Sequence, residues 1–538
     1  MRKALLLVPF LALACSSTDA GDLTAPVETQ PEGATPDTAT PDQASEPLPP
    51  QCDAGATPVE PTSVTPAPAL IVTAKSLQAS FEKYAVLHTL LGMPTEVVTV
   101  ETICGSKCDD KDPTKDTAKA IKDFLSQRDG LKYVILGGDI EQVPSRKVHD
   151  SYKNPFMTSY TYDEDFFTDY YYSDLSEWDG NADGIYAQDA ADTPDYRPEV
   201  PVSRIPATTA EEADRYLQKV VTYLTKYDLS KVGSCLVLSN VATQFAGMDI
   251  DGAFYFESTG RTLSLLPPDC QIRKMYATGT VDPKAELNSA ASEMGAIEEG
   301  YNIIVHSGHG SVKNLTVEYT GGEEVTGQMV YGLKNSLLPI FLSSACEAGT
   351  FGANDSAGEM LMNAPEGGAI AYLGNTVIGL GLAGGMQLID ELLRYVQTTE
   401  KPMLGDAYRF AHDKMPEKDN FSLPIVPLPV PVVDQNSYQW TQKGVVLMGD
   451  LLIPVYKGHL EAAPSVQAKR EVFCEGTRLT FEVAPAVDGP MRLAVGGKYY
   501  DLEIVAGKGT IDIKETADSI AVGLTSKGSL PAWVEIKF

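Results

Sequence analysis

The sequence predicts a protein of the α/β class, in which parallel sheets are covered by helices and a small β-sandwich follows at the carboxyl end. Short apolar segments alternate with segments of helical spacing from residue 69 to about residue 460, as expected for strands joined by crossover helices. From residue 461 to residue 538 the helical spacing ends, and alternating residues separated by turns replace it. The length of 538 residues allows several such domains.

The α/β body divides into two segments, residues 69–228 and 229–460, because the strand–helix pattern starts again after a long helix. The first segment has predicted strands at 69–73, 97–103 and 133–136, and predicted helices at 77–91, 118–127 and 210–227. The second has predicted strands at 235–238, 272–276, 301–305, 339–343 and 369–373, and a predicted helix at 284–298. Residues 461–538 are assigned to the β-sandwich.

Residues 1–15 have the features of an export signal, with two basic residues followed by an apolar run too short to span a bilayer. Small Ala14 before Cys15 resembles the cleavage site of bacterial lipoproteins, so we expect Cys15 to carry a lipid that anchors the chain to a membrane. Ser16 favours the outer membrane or cell surface, by analogy with lipoprotein sorting. Simple signal cleavage, with loss of Cys15, is the alternative.

The segment that follows, residues 16–68, contains neither Lys nor Arg and is rich in Thr, Pro and Ala. Such a composition buries too little apolar surface to offset the entropy of an ordered chain, so a disordered stalk is predicted. The whole chain carries a formal net charge of −31. Nucleic acids are held mainly by Lys and Arg, and this charge therefore argues against a nucleic-acid partner.

Eight cysteines are present, and an oxidising compartment would allow disulfides between them. Cys104 with Cys108, and Cys235 with Cys270, are candidate pairs, although the sequence does not fix the connectivity. Zinc binding by the Cys-x₃-Cys motif is the competing interpretation, and no second pair of ligands lies nearby to support it.

Two predicted strands of the second segment end in residues suited to nucleophilic catalysis. The strand at 301–305 leads to His309, and the strand at 339–343 leads to Cys346. Parallel sheets bind ligands beyond the carboxyl ends of their strands, so the imidazole and the thiol are expected to meet there. A nearby imidazole converts a thiol to the nucleophilic thiolate, and glycines such as Gly310 leave backbone amides free for an oxyanion.

The alternative is that Cys346 is a small buried apolar residue, the commonest role of a cysteine after an apolar strand. The matched His-Gly strand end favours catalysis over this alternative. His306 is a second candidate for the base, but Gly310 and Ser311 follow His309 and favour the latter.

His309-Gly310-Ser311 and Ala345-Cys346, each after an apolar strand, resemble the two signatures of the caspase-like cysteine peptidases. The rest of the chain, from about residue 69 to the C-terminus, resembles the gingipain family within that clan. The matching segments are YVILGGD at 133–139, TDYYYSD at 168–174, PEVPVSRIP at 198–206, EGGAIA at 366–371 and MGD at 448–450.

This resemblance implies a caspase-like body of two subdomains followed by an immunoglobulin-like β domain. It implies that Cys346 attacks the peptide carbonyl, that His309 protonates the leaving amine, and that the amides of Gly310 and Cys346 hold the oxyanion. Gingipains place a glutamate near the catalytic histidine, and the matching position in this sequence falls on or near Ala242. The aspartate that binds the basic side chain in arginine-specific members matches Asp249 or Asp251.

A separate motif suggests a calcium site. Asp179, Asn181 and Asp183 alternate with small residues, and a glycine stands at the sixth position of the motif, as in calcium-binding loops. The glutamate expected at the twelfth position is replaced by Ala190, and a polar surface turn is the alternative. We expect any bound calcium to be structural rather than catalytic.

The sequence therefore predicts a cysteine endopeptidase of the cell envelope that acts on proteins or peptides, and its chemistry requires no cofactor. Cleavage after Arg or Lys is expected if Asp249 or Asp251 lines the specificity pocket. Two rival functions stay open. One is a non-enzymatic surface module that only binds partners, and the other is a sortase-like transpeptidase that forms the same thioester.

Overall fold

The computed structural model describes residues 57–106, 108, 116–153, 161–188, 191–192, 194–245, 248–259, 261–317, 323–352, 355–418, 421–422, 432–433, 435–473, 476–516 and 518–538. The predicted signal, the predicted lipidation site Cys15 and most of the predicted stalk lie outside these residues. In the part of the chain that is described, no helix has the length and apolar character needed to cross a membrane.

Within the described residues, strands and helices alternate from Ala69 to Gly449, and from Ser465 onward the elements are strands. In chain order the strands are β1 (Ala69–Thr73), β2 (Thr95–Thr99), β3 (Tyr133–Gly137), β4 (Arg146–Lys153), β5 (Thr161–Thr168), β6 (Val202–Ile205), β7 (Ser234–Ser239), β8 (Val241–Phe245), β9 (Met248–Asp251), β10 (Gln271–Tyr276), β11 (Glu286–Leu287), β12 (Ile303–Ser307), β13 (His309–Ser311), β14 (Asn314–Val317), β15 (Glu324–Thr326), β16 (Ile340–Ser343), β17 (Ala371–Asn375), β18 (Phe421–Ser422), β19 (Val432–Val433), β20 (Val445–Gly449), β21 (Ser465–Phe473), β22 (Gly476–Ala484), β23 (Gly489–Val495), β24 (Lys498–Ile504), β25 (Lys508–Ile513), β26 (Ser519–Leu524) and β27 (Ala532–Lys537).

The helices, also in chain order, are α1 (Gln78–Leu90), α2 (Val100–Cys104), α3 (Thr117–Ser126), α4 (Ala210–Thr225), α5 (Ala253–Thr259), α6 (Arg261–Leu265), α7 (Ala290–Glu299), α8 (Gly327–Tyr331), α9 (Ala357–Asn363), α10 (Gly385–Thr398), α11 (Leu404–Lys414) and α12 (Gln435–Gly444).

Eleven of the described strands form one central sheet, in the order β11-β10-β7-β12-β16-β17-β20-β6-β3-β1-β2. Neighbouring strands are parallel except for β17 and β20, which are antiparallel. The predicted α/β class with a mostly parallel sheet is confirmed. Strands of the predicted first segment lie together at one end of this sheet, and those of the second segment occupy the rest.

Both faces of the sheet are buried, as the apolar strands require. In β1, Leu70 and Val72 face a core that includes Ile121 of α3, whereas Ile71 faces a second and larger core that includes Phe81 of α1. Successive side chains of a strand point to opposite faces, so each strand of this kind contributes to both cores.

Two predicted elements differ from the structure at their ends. The strand predicted at 97–103 stops at Thr99, because the Thr99 side chain accepts a hydrogen bond from the Thr102 amide and starts α2. The helix predicted at 284–298 begins only at Ala290, after the N-cap Ser289, and Glu286–Leu287 form the edge strand β11 instead. At both places the helix N-cap, and not the pattern of apolar residues, determines where the element ends or begins.

The carboxyl-terminal strands form two antiparallel sheets, β21-β22-β25 and β24-β23-β26-β27. Phe481 and Ile511 of the first sheet share one apolar core with Leu493 and Val522 of the second. This packing of two sheets is the arrangement of a β-sandwich. The chain before β1 lies along it, because the Val59 amide donates to the Asp512 carbonyl at 2.8 Å. The end of the predicted stalk is thus ordered from residue 57.

Candidate active site

The central sheet brings the His309 and Cys346 segments together. Strands β12 and β16 are parallel neighbours, with His306 opposite Ser343, so His309 and Cys346 both follow the same edge of the sheet. The Gly310 backbone packs directly on the cysteine segment. A Cβ atom built on Gly310 would lie 2.8 Å from the Ala345 Cβ and 3.0 Å from the Cys346 carbonyl oxygen. Only glycine leaves room for this approach.

The Cys346 thiol is the free thiol among the described cysteines, since Cys104–Cys108 and Cys235–Cys270 form disulfides. It donates a hydrogen bond to the Gly379 carbonyl at 3.7 Å. Burial raises the pKa of the Cys346 thiol, and the Glu347 carboxylate next to it raises that pKa further. The resting group is therefore a protonated thiol that needs a base before it can attack.

The turn that presents Cys346 has an unusual backbone. Glu347 has φ of 53°, in the left-handed region that residues with side chains rarely adopt. Backbone hydrogen bonds hold it there, because the Glu347 amide donates to the Val377 carbonyl at 3.0 Å and the Gly349 amide donates to the Asn375 carbonyl at 2.9 Å. Strain of this kind persists only where surrounding contacts enforce it, which is common at active sites.

The two histidines of the segment differ in their surroundings. His306 is fully buried, and desolvation together with the nearby His309 lowers the pKa of His306 to about 3. It is therefore neutral at physiological pH and screened from solvent. His309 is only partly buried and begins β13 at the edge of the sheet. Of the two candidates, His309 alone has the exposure that a base for Cys346 requires.

An oxyanion site next to Cys346 is consistent with the local peptide geometry. The Asn375 side-chain amide donates to the Ala345 carbonyl at 2.8 Å. In a trans peptide the carbonyl and the following N–H point in opposite directions, so the Cys346 N–H points away from Asn375. Sequence reasoning did not identify Asn375, which lies at the end of the neighbouring strand β17.

The two acidic candidates for the specificity pocket lie in and beside the β8–β9 hairpin. Asp249 belongs to β9, and its side chain lies outside the described part of the structure. Asp251 is buried, and its carboxylate accepts hydrogen bonds from Ser239 Oγ at 2.8 Å, the Ala253 amide at 2.9 Å and the Thr278 amide at 2.7 Å. Asp251 is thus strongly held by the ends of β7 and β10.

The resemblance places the position of the gingipain glutamate on or near Ala242, close to the end of β7 and the start of β8. Ala242 belongs to β8, whereas Asn240 follows β7 directly and its amide donates to the Ser307 carbonyl at 3.0 Å. A Cβ built on Gly308 would lie 3.0 Å from the Asn240 Cβ. Asn240 is therefore the residue of this strand end that packs on the His309 loop. Its place after a buried strand was the available sequence signal.

The predicted calcium ligands lie in an exposed turn. The Asp179 carboxylate accepts hydrogen bonds from the amides of Asp183 and Gly184, and the Asp183 carboxylate accepts from the Ile185 amide at 2.8 Å. Across the described residues, no group of three or more His, Cys, Asp or Glu side chains is arranged to hold a metal ion. Zinc binding by Cys104 and Cys108 is wrong, because these cysteines form a disulfide.

A mostly parallel sheet that carries a histidine and a cysteine segment at one edge is the architecture of a cysteine peptidase. The family model of peptidase family C25 matches residues 62–456. The chain therefore belongs to peptidase family C25, the gingipain family, and is a cysteine peptidase.

Several individual proteins are similar to this chain. An uncharacterized protein of Archaeoglobus fulgidus is 25% identical over 405 residues, which cover 66% of this chain and 89% of that protein. The crystal structure of the Arg-specific cysteine proteinase gingipain R matches with a TM-score of 0.59 and 18% identity, over 89% of this chain and 99% of that one. The complex of the pro- and mature domains of Porphyromonas gingivalis RgpB matches with a TM-score of 0.58 and 17% identity, over 87% and 99%. The structural matches show a shared fold.

Proposed function

We propose that this chain is an exported, lipid-anchored cysteine endopeptidase that cleaves peptide bonds with Cys346 and His309. The observation that carries the proposal is the close packing of Gly310 on the Cys346 backbone, which holds the two catalytic segments together. The partial exposure of His309 and of Cys346, and the protonated thiol of Cys346, suit a base and a nucleophile.

In the proposed reaction, the substrate carbonyl lies near the amides of Gly310 and Cys346. His309 takes the thiol proton as the sulfur attacks the carbonyl carbon, and the oxyanion accepts hydrogen bonds from the two amides. The resulting imidazolium donates its proton to the leaving amine, and a thioester on Cys346 remains. Water then attacks the thioester with His309 as base, which releases the acid and restores the thiol.

Preference for Arg or Lys before the cleaved bond is part of the proposal, with Asp249 or Asp251 as the acidic partner. The Asp251 carboxylate is buried and already accepts three hydrogen bonds at its two oxygens, so a substrate guanidinium would have to use its remaining lone pairs. The similarity to an Arg-specific gingipain is consistent with this preference. Asp249 lies two residues earlier on the same strand, and substitution distinguishes the two.

Three further features belong to the same proposal. Lipid on Cys15 would anchor the chain in the cell envelope, at the outer membrane or the cell surface. The carboxyl-terminal β-sandwich would be immunoglobulin-like, a suggestion that rests on its two antiparallel sheets of three and four strands. Calcium would bind at Asp179, Asn181 and Asp183, and chelation should then lower the melting temperature of the full chain. Equal melting curves with excess calcium and with chelator would reject the calcium site.

The decisive experiment is digestion of a peptide library by the purified full chain, beside Cys346→Ala and His309→Ala variants. Hydrolysis after Arg or Lys is expected from the wild type, with loss of activity in both variants. A preference that is unchanged in Asp249→Ala and Asp251→Ala rejects the acidic pocket only. Products joined to an added peptide amine, in place of free acids, would instead indicate a transpeptidase. No turnover of any peptide would favour the binding module.

A further inference from the structure

A continuous series of hydrogen bonds runs beneath the catalytic segments. Glu293 Oε1 of α7 accepts from the Thr316 hydroxyl of β14 at 2.7 Å. Thr316 Oγ1 lies 3.5 Å from His306 Nε2 of β12, and His306 Nδ1 lies 3.0 Å from Ser343 Oγ of β16. Ser343 Oγ also accepts from the Ala345 amide at 3.1 Å. We call Glu293, Thr316, His306 and Ser343 the buried chain.

The buried chain is shielded from water, since each of its four side chains is at most 2% exposed. Groups with so little exposure exchange hydrogen bonds with one another rather than with solvent, so the loss of one leaves its neighbours unsatisfied. The buried chain reaches the His309 segment at one point and the Cys346 segment at another. Thr316 is in the β13–β14 hairpin that begins with His309, and the Ala345 amide belongs to the residue just before Cys346.

Ionised Glu293 determines which group donates and which accepts in each hydrogen bond of the buried chain. A carboxylate only accepts, so the Thr316 hydroxyl must donate to it, and the Thr316 oxygen can then only accept from His306 Nε2–H. Neutral His306 with a proton on Nε2 has an acceptor at Nδ1, which accepts a hydrogen bond from the Ser343 hydroxyl. The Ser343 oxygen keeps a lone pair for the Ala345 amide. Every donor of the series therefore has one acceptor.

Protonation of Glu293 removes this constraint. A carboxylic acid can donate to Thr316, which frees the threonine hydroxyl to donate to His306 Nε2 and moves the ring proton to Nδ1. Burial without a cationic partner raises the pKa of Glu293 to about 7, so the change falls in the physiological range. In the described part of the structure, Asn288 donates to the second Glu293 oxygen at 3.2 Å, and Glu323 lines the same cavity of about 310 Å³. Among the described residues, His309 faces His306, and the hydroxyl of Tyr372 in β17 faces Ser343.

We propose that the four residues of the buried chain are positioning residues, which hold the His309 hairpin and the Cys346 turn in their reactive arrangement through the orientation of His306. The proposal rests on the proposed peptidase function, because it explains how the same two segments are kept in register. The four side chains are buried, so they would act through the two segments rather than by contact with a substrate. Ionised Glu293 fixes His306 with its proton on Nε2, and protonated Glu293 releases it.

The first test uses the Thr316 hydroxyl. Thr316→Val removes it at nearly constant volume, and we expect kcat to fall about ten- to a hundredfold with little change in KM. Thr316→Ser keeps a hydroxyl and should retain most of the activity. Glu298→Gln alters an exposed carboxylate of α7, the helix that carries Glu293, and serves as the control. Melting temperatures establish that the variants are folded. Equal kcat values for the Val and Ser variants would overturn the proposal.

The second test measures coupling and the histidine tautomer in the full chain. Thr316→Val and Ser343→Ala lie on either side of His306, so their effects on kcat should be strongly non-additive. In protein labelled with ¹⁵N at histidine, the His306 signals should show a proton on Nε2 above pH 8 and a shift toward Nδ1 below pH 6. Glu293→Gln should abolish that pH dependence. Additive effects together with a pH-independent tautomer would contradict the inference.

The proposed peptidase function and the proposed role of the buried chain can be rejected independently. A wild-type chain without hydrolytic activity would reject the proposed function, and the His306 tautomer would still report whether the buried chain has the donors and acceptors described. An active wild type with an inactive Cys346→Ala variant, but normal Thr316→Val kinetics, would reject the buried chain alone.

Discussion

Desolvation controls the chemistry of single residues around Cys346. Burial and the Glu347 carboxylate both raise the pKa of the thiol, while the hydrogen bond to the Gly379 carbonyl partly opposes this. Burial and Glu164 of the β4–β5 hairpin raise the pKa of Glu347 itself. Cys346 is thus held as a thiol, and under the proposed mechanism it would become a thiolate only when His309 accepts its proton.

Removal of the Glu347 charge should make Cys346 more reactive. In Glu347→Gln the thiol loses a neighbouring anion, its pKa falls, and the thiolate fraction at pH 8 rises. We expect iodoacetamide to alkylate Cys346 severalfold faster, because the thiolate is the reacting form. Glu366→Gln, an exposed carboxylate paired with Lys334, is the control. An unchanged or slower rate would show that Glu347 does not influence the thiol.

Glu293 should reduce stability at high pH. Its folded pKa of about 7 lies above the ordinary value of 4.5, so its contribution to stability is complete below pH 4.5 and is lost as the pH rises through 7. Glu293→Gln should therefore be more stable than the wild type at pH 8, by about 3 kcal/mol, with the difference gone at pH 4.5. Urea unfolding at the two pH values measures this. A less stable variant at pH 8 would refute the shifted pKa.

The residue-level prediction from sequence succeeded in placing His309 and Cys346 on neighbouring strand ends, because parallel strands present their carboxyl ends at one edge. The sequence did not predict which other residues surround His309 and Cys346. Asn375 follows Cys346 by 29 positions in the chain, and Glu293 precedes His306 by 13. Each reaches the site only through the order of strands and helices, which the spacing of apolar residues does not reveal.

At the level of elements, the contact between the His309 hairpin and the Cys346 turn is the most sensitive feature. Gly310→Ala would place a Cβ 2.8 Å from the Ala345 Cβ, closer than packed atoms allow, so the two segments must separate. We expect kcat to fall at least about tenfold while the fold persists, since small displacements of catalytic groups are costly. Gly279→Ala meets nothing within 4 Å and is the matched control. Equal activity of the two variants would contradict the packing.

Buried strands were predictable as elements, and the joins between them were not. The predicted strand at 133–136 lies within β3, and its apolar sequence is buried throughout. Strands β6 and β20, in contrast, were not predicted, although they join the two halves of the sheet. Strand β6 is only four residues long and contains buried Arg204, whose guanidinium pairs with Asp169 at 2.7 Å. A charged residue in so short a segment conceals a strand until its partner is known.

On the scale of the whole molecule, the β-sandwich is docked on the α/β body. The Arg492 guanidinium donates to the Thr89 carbonyl near the end of α1 at 3.0 Å, and Gly523 of β26 packs so closely on Leu90 that a Cβ would lie 2.3 Å from the Leu90 carbonyl oxygen. Leu530 is buried in the larger core of the body. These contacts indicate that the sandwich supports the peptidase body and is not a separately hinged appendage.

The proposed anchor gives the whole molecule a testable location. A Cys15→Ser variant, expressed in a bacterium with lipoprotein processing, should move from the membrane fraction to the soluble fraction. The reason is that a lipid supplies most of the membrane affinity of such a chain. Cys52→Ser, in the same amino-terminal region, is the control and should stay in the membrane fraction. Retention of the Cys15→Ser protein in the membrane would argue against lipidation.

The most direct test of the central claim is titration of the active site with a peptidyl chloromethyl ketone that ends in arginine. Mass spectrometry locates the adduct while residual hydrolysis is measured in the same samples. The account predicts one adduct per chain, on Cys346, with activity lost in proportion and labelling greatly slowed in His309→Ala. Adducts on another residue, or hydrolysis that survives in Cys346→Ala, would contradict it.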